Sequence, residues 1–154
     1  MKRKILIAVF FGIFLLGAFL SLTRGNPLDK SVGSVIVTNG EERFEVSGYK
    51  VSYNNGNKSR NVENPELKDV TDTLKTIGYG DGISVSYSDK FTDVSYSVYD
   101  ENMKPIIQNE SSLKISGSEG QKYYVEILVD WGSKSESVSE KYYFIIQETL
   151  KNFV

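Results

Sequence analysis

Short alternating segments, turn signals about every 8–12 residues and one helix-like stretch predict a mainly β protein. The architecture they favour is an antiparallel, immunoglobulin-like β-sandwich with one short inserted helix, preceded by one N-terminal transmembrane helix. At 154 residues, the chain has room for one domain and a membrane segment. The expected organisation is an anchor or signal peptide over residues 1–23, a tether over 24–32 and a β-sandwich body over 33–154.

The amino terminus opens with the basic run Met1-Lys2-Arg3-Lys4, followed by Ile5 to Leu22, an uncharged stretch whose only hydroxyl is Ser21. At 1.5 Å per residue these 18 residues reach roughly 27 Å, enough to cross a hydrocarbon core. The basic residues in front put the amino terminus inside and the body outside. The flanks of a cleavage site are poor. Ala18-Phe19-Leu20 has a large residue at its end, and Ser21-Leu22-Thr23 is no better than passable. The expectation is a single-pass membrane protein held by residues 5–22, with secretion as the alternative if the chain is cut near Thr23.

Beyond the tether, Gly33–Thr38 is a short apolar strand and Asn39-Gly40-Glu41-Glu42 a turn. Arg43–Asn54 alternates with a change of parity at Gly48, which points to a bulge or bend there, with Tyr49, Val51 and Tyr53 on one face. Asn54-Asn55-Gly56-Asn57 is a turn. Residues 64–78 read as the body's helix. Asn64 is its N-cap, Pro65 its first residue, Leu67, Val70, Leu74 and Ile77 one apolar stripe, and Gly78 its stop.

Two strands with serines on their outer face follow. Ile83, Val85 and Tyr87 mark the inner face of the first, and Val94, Tyr96 and Val98 that of the second. Pro105–Gln108 and Ser112–Ser116 are shorter strand pieces. In the last two strands, Tyr123, Val125, Ile127, Val129 and Trp131 share one face, as do Tyr142, Phe144 and Ile146. A hairpin pairing Trp131 with Glu140 aligns both apolar faces and sets Asp130 opposite Lys141. The closing residues, 148–154, extend that strand or form a tail.

Composition removes several chemistries. With no cysteine and no histidine, disulfides, thiolate nucleophiles, a lipidated cysteine, common zinc sites and serine–histidine triads are all excluded. Setting aside Lys2, Arg3 and Lys4, the rest carries 15 basic and 20 acidic residues, a net charge of about −5, which argues against nucleic acid as a partner. Ser47/Lys50 and Ser111/Lys114 show a Ser-x-x-Lys spacing but in strand or loop contexts, away from the helix start that such chemistry uses. Asp81 and the Asp100-Glu101-Asn102 loop read as turn chemistry, without the spacing of a calcium loop. No cofactor, no metal and no catalytic residue is expected.

The aromatic pairs Tyr123-Tyr124 and Tyr142-Tyr143 place one tyrosine of each pair outward, beside Leu128 and Ile145. Tyr124, Leu128, Tyr143 and Ile145 are thus the candidate interaction surface for an envelope protein or wall polymer, unless the helix's apolar stripe covers them.

Residues 48–147 resemble an uncharacterised extracytoplasmic domain of small Gram-positive membrane-anchored or secreted proteins, also seen as tails of sensor-type membrane metallopeptidase homologues. The shared outline is Pro65-Glu66-Leu67-Lys68 opening a helix, the strands Gly82–Tyr87 and Val94–Tyr99, and Tyr123–Trp131 followed by Tyr142–Ile146. Two cysteines common near residues 54–64 in that family are missing here. The resemblance implies a β-sandwich, an outside location and a non-enzymatic role.

The function expected from these readings is a non-enzymatic, membrane-anchored domain that binds or modulates another cell-envelope component. The alternative is a secreted carbohydrate- or wall-binding module using the outward tyrosines.

Overall fold

The computed structural model describes residues 33–55, 59–62, 64–79, 82–115, 120–133 and 135–147. The expected anchor and tether, Asp81 and the tail after Gln147 lie outside the described residues. Among the described residues, no helix is long and apolar enough to cross a membrane.

The body is mainly β, with two antiparallel sheets facing each other in a sandwich-like arrangement. The strands are β1 (Val35–Thr38), β2 (Arg43–Val46), β3 (Gly48–Asn54), β4 (Ser59–Asn61), β5 (Thr76–Ile77), β6 (Ser84–Tyr87), β7 (Phe91–Tyr99), β8 (Pro105–Glu110), β9 (Lys122–Ser133) and β10 (Glu136–Gln147). The smaller sheet runs β2-β1-β6. The larger runs β4-β3-β10-β9-β7-β8, with β5 added parallel to the end of β10.

Alternation decides which side chains meet between the sheets. Val35, Val37 and Val46 from the small sheet face Tyr96, Val98, Tyr123, Val125, Ile127, Val129, Trp131, Tyr142, Phe144 and Ile146 from the large one. Every inward position read from the β9 and β10 patterns is in this cluster. Ile83, Val85, Tyr87 and Val94 pack around it as expected, and Phe44 joins them. Leu113 and Ile115 also reach it, although no strand forms at 112–115.

The parity change at Gly48 has a larger cause than a bulge. The chain leaves the small sheet at Val46 and enters the large one at Gly48. Gly48 is needed at that crossing, because a Cβ there would stand 2.7 Å from the Tyr142 ring and 2.8 Å from Glu140 Oε2. A true bulge follows within β3: Ser52 pairs with Ser139 but Lys50 with Glu140, leaving Val51 as the extra residue. The bulge splits the expected face. Tyr49 turns outward onto Tyr143, whereas Tyr53 lies opposite inward-facing Val138.

The β9–β10 hairpin forms with a different register. Trp131 pairs with Val138, Val129 with Glu140 and Ile127 with Tyr142, two residues from the expected pairing. A shift of two leaves every side chain on its own face, so the apolar pattern is blind to it. What it changes is the charge pairing. Asp130 lies opposite Ser139 and accepts that hydroxyl at 2.5 Å, while Lys141 pairs with Glu126 at 3.2 Å.

The helix is shorter than its stripe. α1 covers Leu67–Val70, a 3₁₀ turn spans Thr71–Thr73, and Thr76–Ile77 is strand β5. Its N-cap is Glu66, whose amide donates to Asp69 Oδ2 at 3.0 Å, in place of the expected Asn64. Thr73 Oγ1 donates to the Val70 carbonyl at 2.8 Å, and the backbone turns extended at Leu74, before the β-branched Thr76. The Ile145 amide then donates to the Lys75 carbonyl at 2.9 Å, giving the segment a sheet partner in place of a second helical turn. Leu67 and Val70 therefore cover the outer face of the large sheet, while Ile77 is fully buried in the core between the sheets.

Candidate functional site

Tyr124, Tyr143 and Ile145 form a second apolar cluster with Leu67 and Val70, rimmed by Tyr49, Leu74, Tyr99 and Met103. Tyr143 is 2 % exposed and Tyr124 7 %. The Tyr143 hydroxyl donates to the Pro65 carbonyl at 3.2 Å, so the loop before α1 is latched to it. Burial raises the Tyr143 pKa, with the Glu126 charge acting in the same direction. Leu128 lies apart, between Ser95 and Lys141 in the sheet, and is half-buried. Three of the four residues of the expected interaction surface, Tyr124, Tyr143 and Ile145, are thus buried with Leu67 and Val70, and Leu128 is not part of that cluster. A four-residue helix has no other place to bury Leu67 and Val70, and the outer aromatics supply it.

The loop clusters are turns. Asp100 Oδ1 accepts the amides of Asn102 (2.9 Å) and Lys104 (2.8 Å), and Met103 takes a positive φ of 61°. Asn39 Oδ1 likewise accepts the amides of Glu41 and Glu42, and its Nδ2 donates to the Gly78 carbonyl at 3.1 Å, tying the β1–β2 turn to the end of β5. Among the described residues, no group of three or more Asp or Glu is placed to hold a metal ion.

A cluster inside the sandwich joins the carboxyl group of Glu140 to Tyr142 and Trp131. Glu140 follows the inward parity of β10, two residues before Tyr142, and is only 5 % exposed. The Tyr142 hydroxyl donates to Glu140 Oε2 at 2.5 Å and accepts the Trp131 indole N–H at 2.9 Å. The Trp131 and Tyr142 rings meet edge to face, with centroids 6.4 Å apart. Burial raises the Glu140 pKa above its ordinary 4.5, against the opposing pull of the Tyr142 hydrogen bond, Lys50 and Trp131. Burial and the adjacent carboxyl raise that of Tyr142. The sequence carried a signal for this cluster: Glu140 is a charged residue in phase with Tyr142, Phe144 and Ile146.

Glu140 and Tyr142 line a solvent-open cavity of about 400 Å³ where the chain crosses between sheets. Its other walls are Gly33 and Ser34 before β1, Glu45–Gly48 at the crossing, and Lys75 before β5. Lys75 Nζ donates to the Glu45 carbonyl at 3.2 Å and lies 5.4 Å from the centre of the Phe44 ring. The cavity holds one buried carboxyl group and one buried hydroxyl in hydrogen-bonded contact. That arrangement can take up or release a proton.

No family model matches the chain, and no curated protein or solved structure is significantly similar to it.

Proposed function

We propose that the chain is a single-pass membrane protein whose β-sandwich body lies outside the cell and binds or modulates another envelope component, without catalysis of its own. The observation that carries this reading is the amino terminus: a basic tetrapeptide, 18 uncharged residues long enough to span a bilayer, and poor cleavage flanks. The resemblance over residues 48–147 supports the same location. The immunoglobulin-like reading of the body is supported by its two facing sheets and by a tryptophan buried between them. The wall-binding alternative loses its main support, because Tyr124 and Tyr143 lie under α1.

The test is the intact mass of the protein in membrane and medium fractions, with protease added to whole cells. A full-length mass in membranes, and a body cut only from outside, is the expected result. A product lacking residues 1–23 and found in the medium would overturn the anchor. Turnover of an envelope substrate by the purified full-length protein would overturn the non-enzymatic role.

A further inference from the structure

One hydroxyl hydrogen in the buried cluster has two acceptors. Tyr142 stands 2.5 Å from Glu140 Oε2 and 3.3 Å from the Gly33 carbonyl oxygen. A tyrosine carries one O–H and can satisfy only one of them at a time. The Trp131 N–H occupies one lone pair of the same oxygen and does not compete for the hydrogen. We propose that Glu140 and Tyr142 form a proton-controlled clasp on Gly33, at the entrance to β1. With Glu140 ionised, Tyr142 gives its hydrogen to the carboxylate. With Glu140 protonated, the acid donates to the Tyr142 oxygen, and the Tyr142 hydrogen passes to the Gly33 carbonyl.

The surroundings fit such a device. The proton has a path, because the buried carboxyl group borders the open cavity. Gly33 lies flat against the indole: a Cβ there would stand 2.3 Å from Trp131 Cζ3. Ser34, the next residue, is fixed to the end of β6 through Ser34 N–H to Ser88 Oγ (2.6 Å) and Ser88 N–H to the Ser34 carbonyl (3.0 Å). The Gly33 carbonyl shares one planar peptide unit with the Ser34 N–H, so the clasp acts on the same unit as the Ser88 contact and adds a second, proton-dependent hold on it.

Each element around Glu140 contributes a group to its charge balance. Lys50 on β3 lies opposite it and favours the anion. Glu45 on β2 and Lys75 before β5 line the same cavity, with Lys75 engaged at the Glu45 carbonyl. Trp131 on β9 and Tyr142 on β10 supply hydrogen bonds. Burial outweighs the groups that favour ionisation, so the acid form persists to higher pH than in an exposed glutamate. None of this depends on how residues 1–32 are anchored or processed.

The test is a pH titration of the full-length protein in mild detergent, labelled with carbonyl-¹³C glycine, ¹⁵N serine, side-chain-carboxyl-¹³C glutamate and indole-¹⁵N tryptophan. Only three Gly–Ser pairs exist in the chain, at Gly33, Gly117 and Gly132. The expected result is a Gly33 carbonyl resonance that moves downfield on acidification, with the midpoint of the Glu140 side-chain carboxyl and of the indole N–H of Trp131, the single tryptophan. Glu140→Gln, whose amide donates to Tyr142 as the neutral acid does, should hold Gly33 at its acid-side position at every pH. Tyr142→Phe should abolish the response. A Gly33 resonance that stays still while Glu140 titrates overturns the clasp, as does a response that survives in Glu140→Gln. Because the wild-type titration alone compares the Glu140 and Gly33 midpoints, a variant that fails to fold does not shelter the proposal.

Discussion

Tyr143→Ala distinguishes a covered tyrosine from a presented one. The side chain is 2 % exposed, packs on Tyr49 at 5.7 Å between centroids, and holds the Pro65 carbonyl. A buried aromatic of this size removes roughly 150–250 Å² from water. At about 25 cal/mol per Å² that is roughly 4–6 kcal/mol, reduced to roughly 2–5 kcal/mol once residual burial in the unfolded chain is allowed for. Measured aromatic-to-alanine losses of about 3–5 kcal/mol fall in the same range. Tyr143→Phe keeps the ring and loses one hydrogen bond, so it should cost only about 0.5–1.5 kcal/mol. The assay is urea unfolding of the full-length protein in mild detergent, followed by Trp131 emission, with the change read from the midpoint at constant slope. A loss below about 0.5 kcal/mol for Tyr143→Ala, the range of ordinary surface substitutions, would refute the cover by α1 and restore the tyrosine as a free surface.

Three further outcomes follow from the same geometry. Gly33→Ala forces a methyl group into the Trp131 ring and should destabilise by about 1–3 kcal/mol, with a shift in tryptophan emission as its signature. Asp69→Ala removes the acceptor of the Glu66 amide and should cost about 0.5–2 kcal/mol in the same urea assay. For Glu140, the folded pKa lies above the unfolded value, so the folded state binds the extra proton and stability falls as pH rises from about 4.5 through the folded pKa. The stability of Glu140→Gln relative to wild type should therefore be flat below that window, rise across it and level off above it, as read from unfolding midpoints at several pH values.

The strand faces were legible because alternation is local: β9 and β10 state their inner faces residue by residue, and all of those positions are in the core. Register was not, since a two-residue slip preserves every face and only the partners of Asp130 and Lys141 reveal it. Leu67 and Val70 are legible as a stripe that needs a cover partner, and the outward apolar residues of β9 and β10 offer one, of which Tyr143 and Ile145 join it and Leu128 does not. The extension of that stripe to Ile77 failed because apolar spacing ignores backbone competition, which β10 wins by bonding the Lys75 carbonyl. The crossing at Gly48 left a clear trace as a change of parity, but one chain cannot distinguish a bulge from a change of sheet. Glu140 stood in the inward phase of β10, with Trp131 close by across the hairpin, but its meeting with Gly33, distant in sequence, is made only by the sandwich.

Stability alone does not account for an ionisable group at position 140. A glutamine has nearly the same shape, can hydrogen-bond to Tyr142 and avoids placing a charge where burial opposes it. At a pH above the Glu140 transition, the carboxylate is therefore the weaker structural choice, and Lys50 only partly offsets that cost. What glutamate has and glutamine lacks is a second protonation state, and the two states differ in where the Tyr142 hydrogen points. A purely structural Glu140 would leave Gly33 unmoved when its charge is removed. A switching Glu140 would show greater stability in Glu140→Gln at high pH together with a Gly33 carbonyl fixed in its acid-side position, and that joint result cannot come from packing alone.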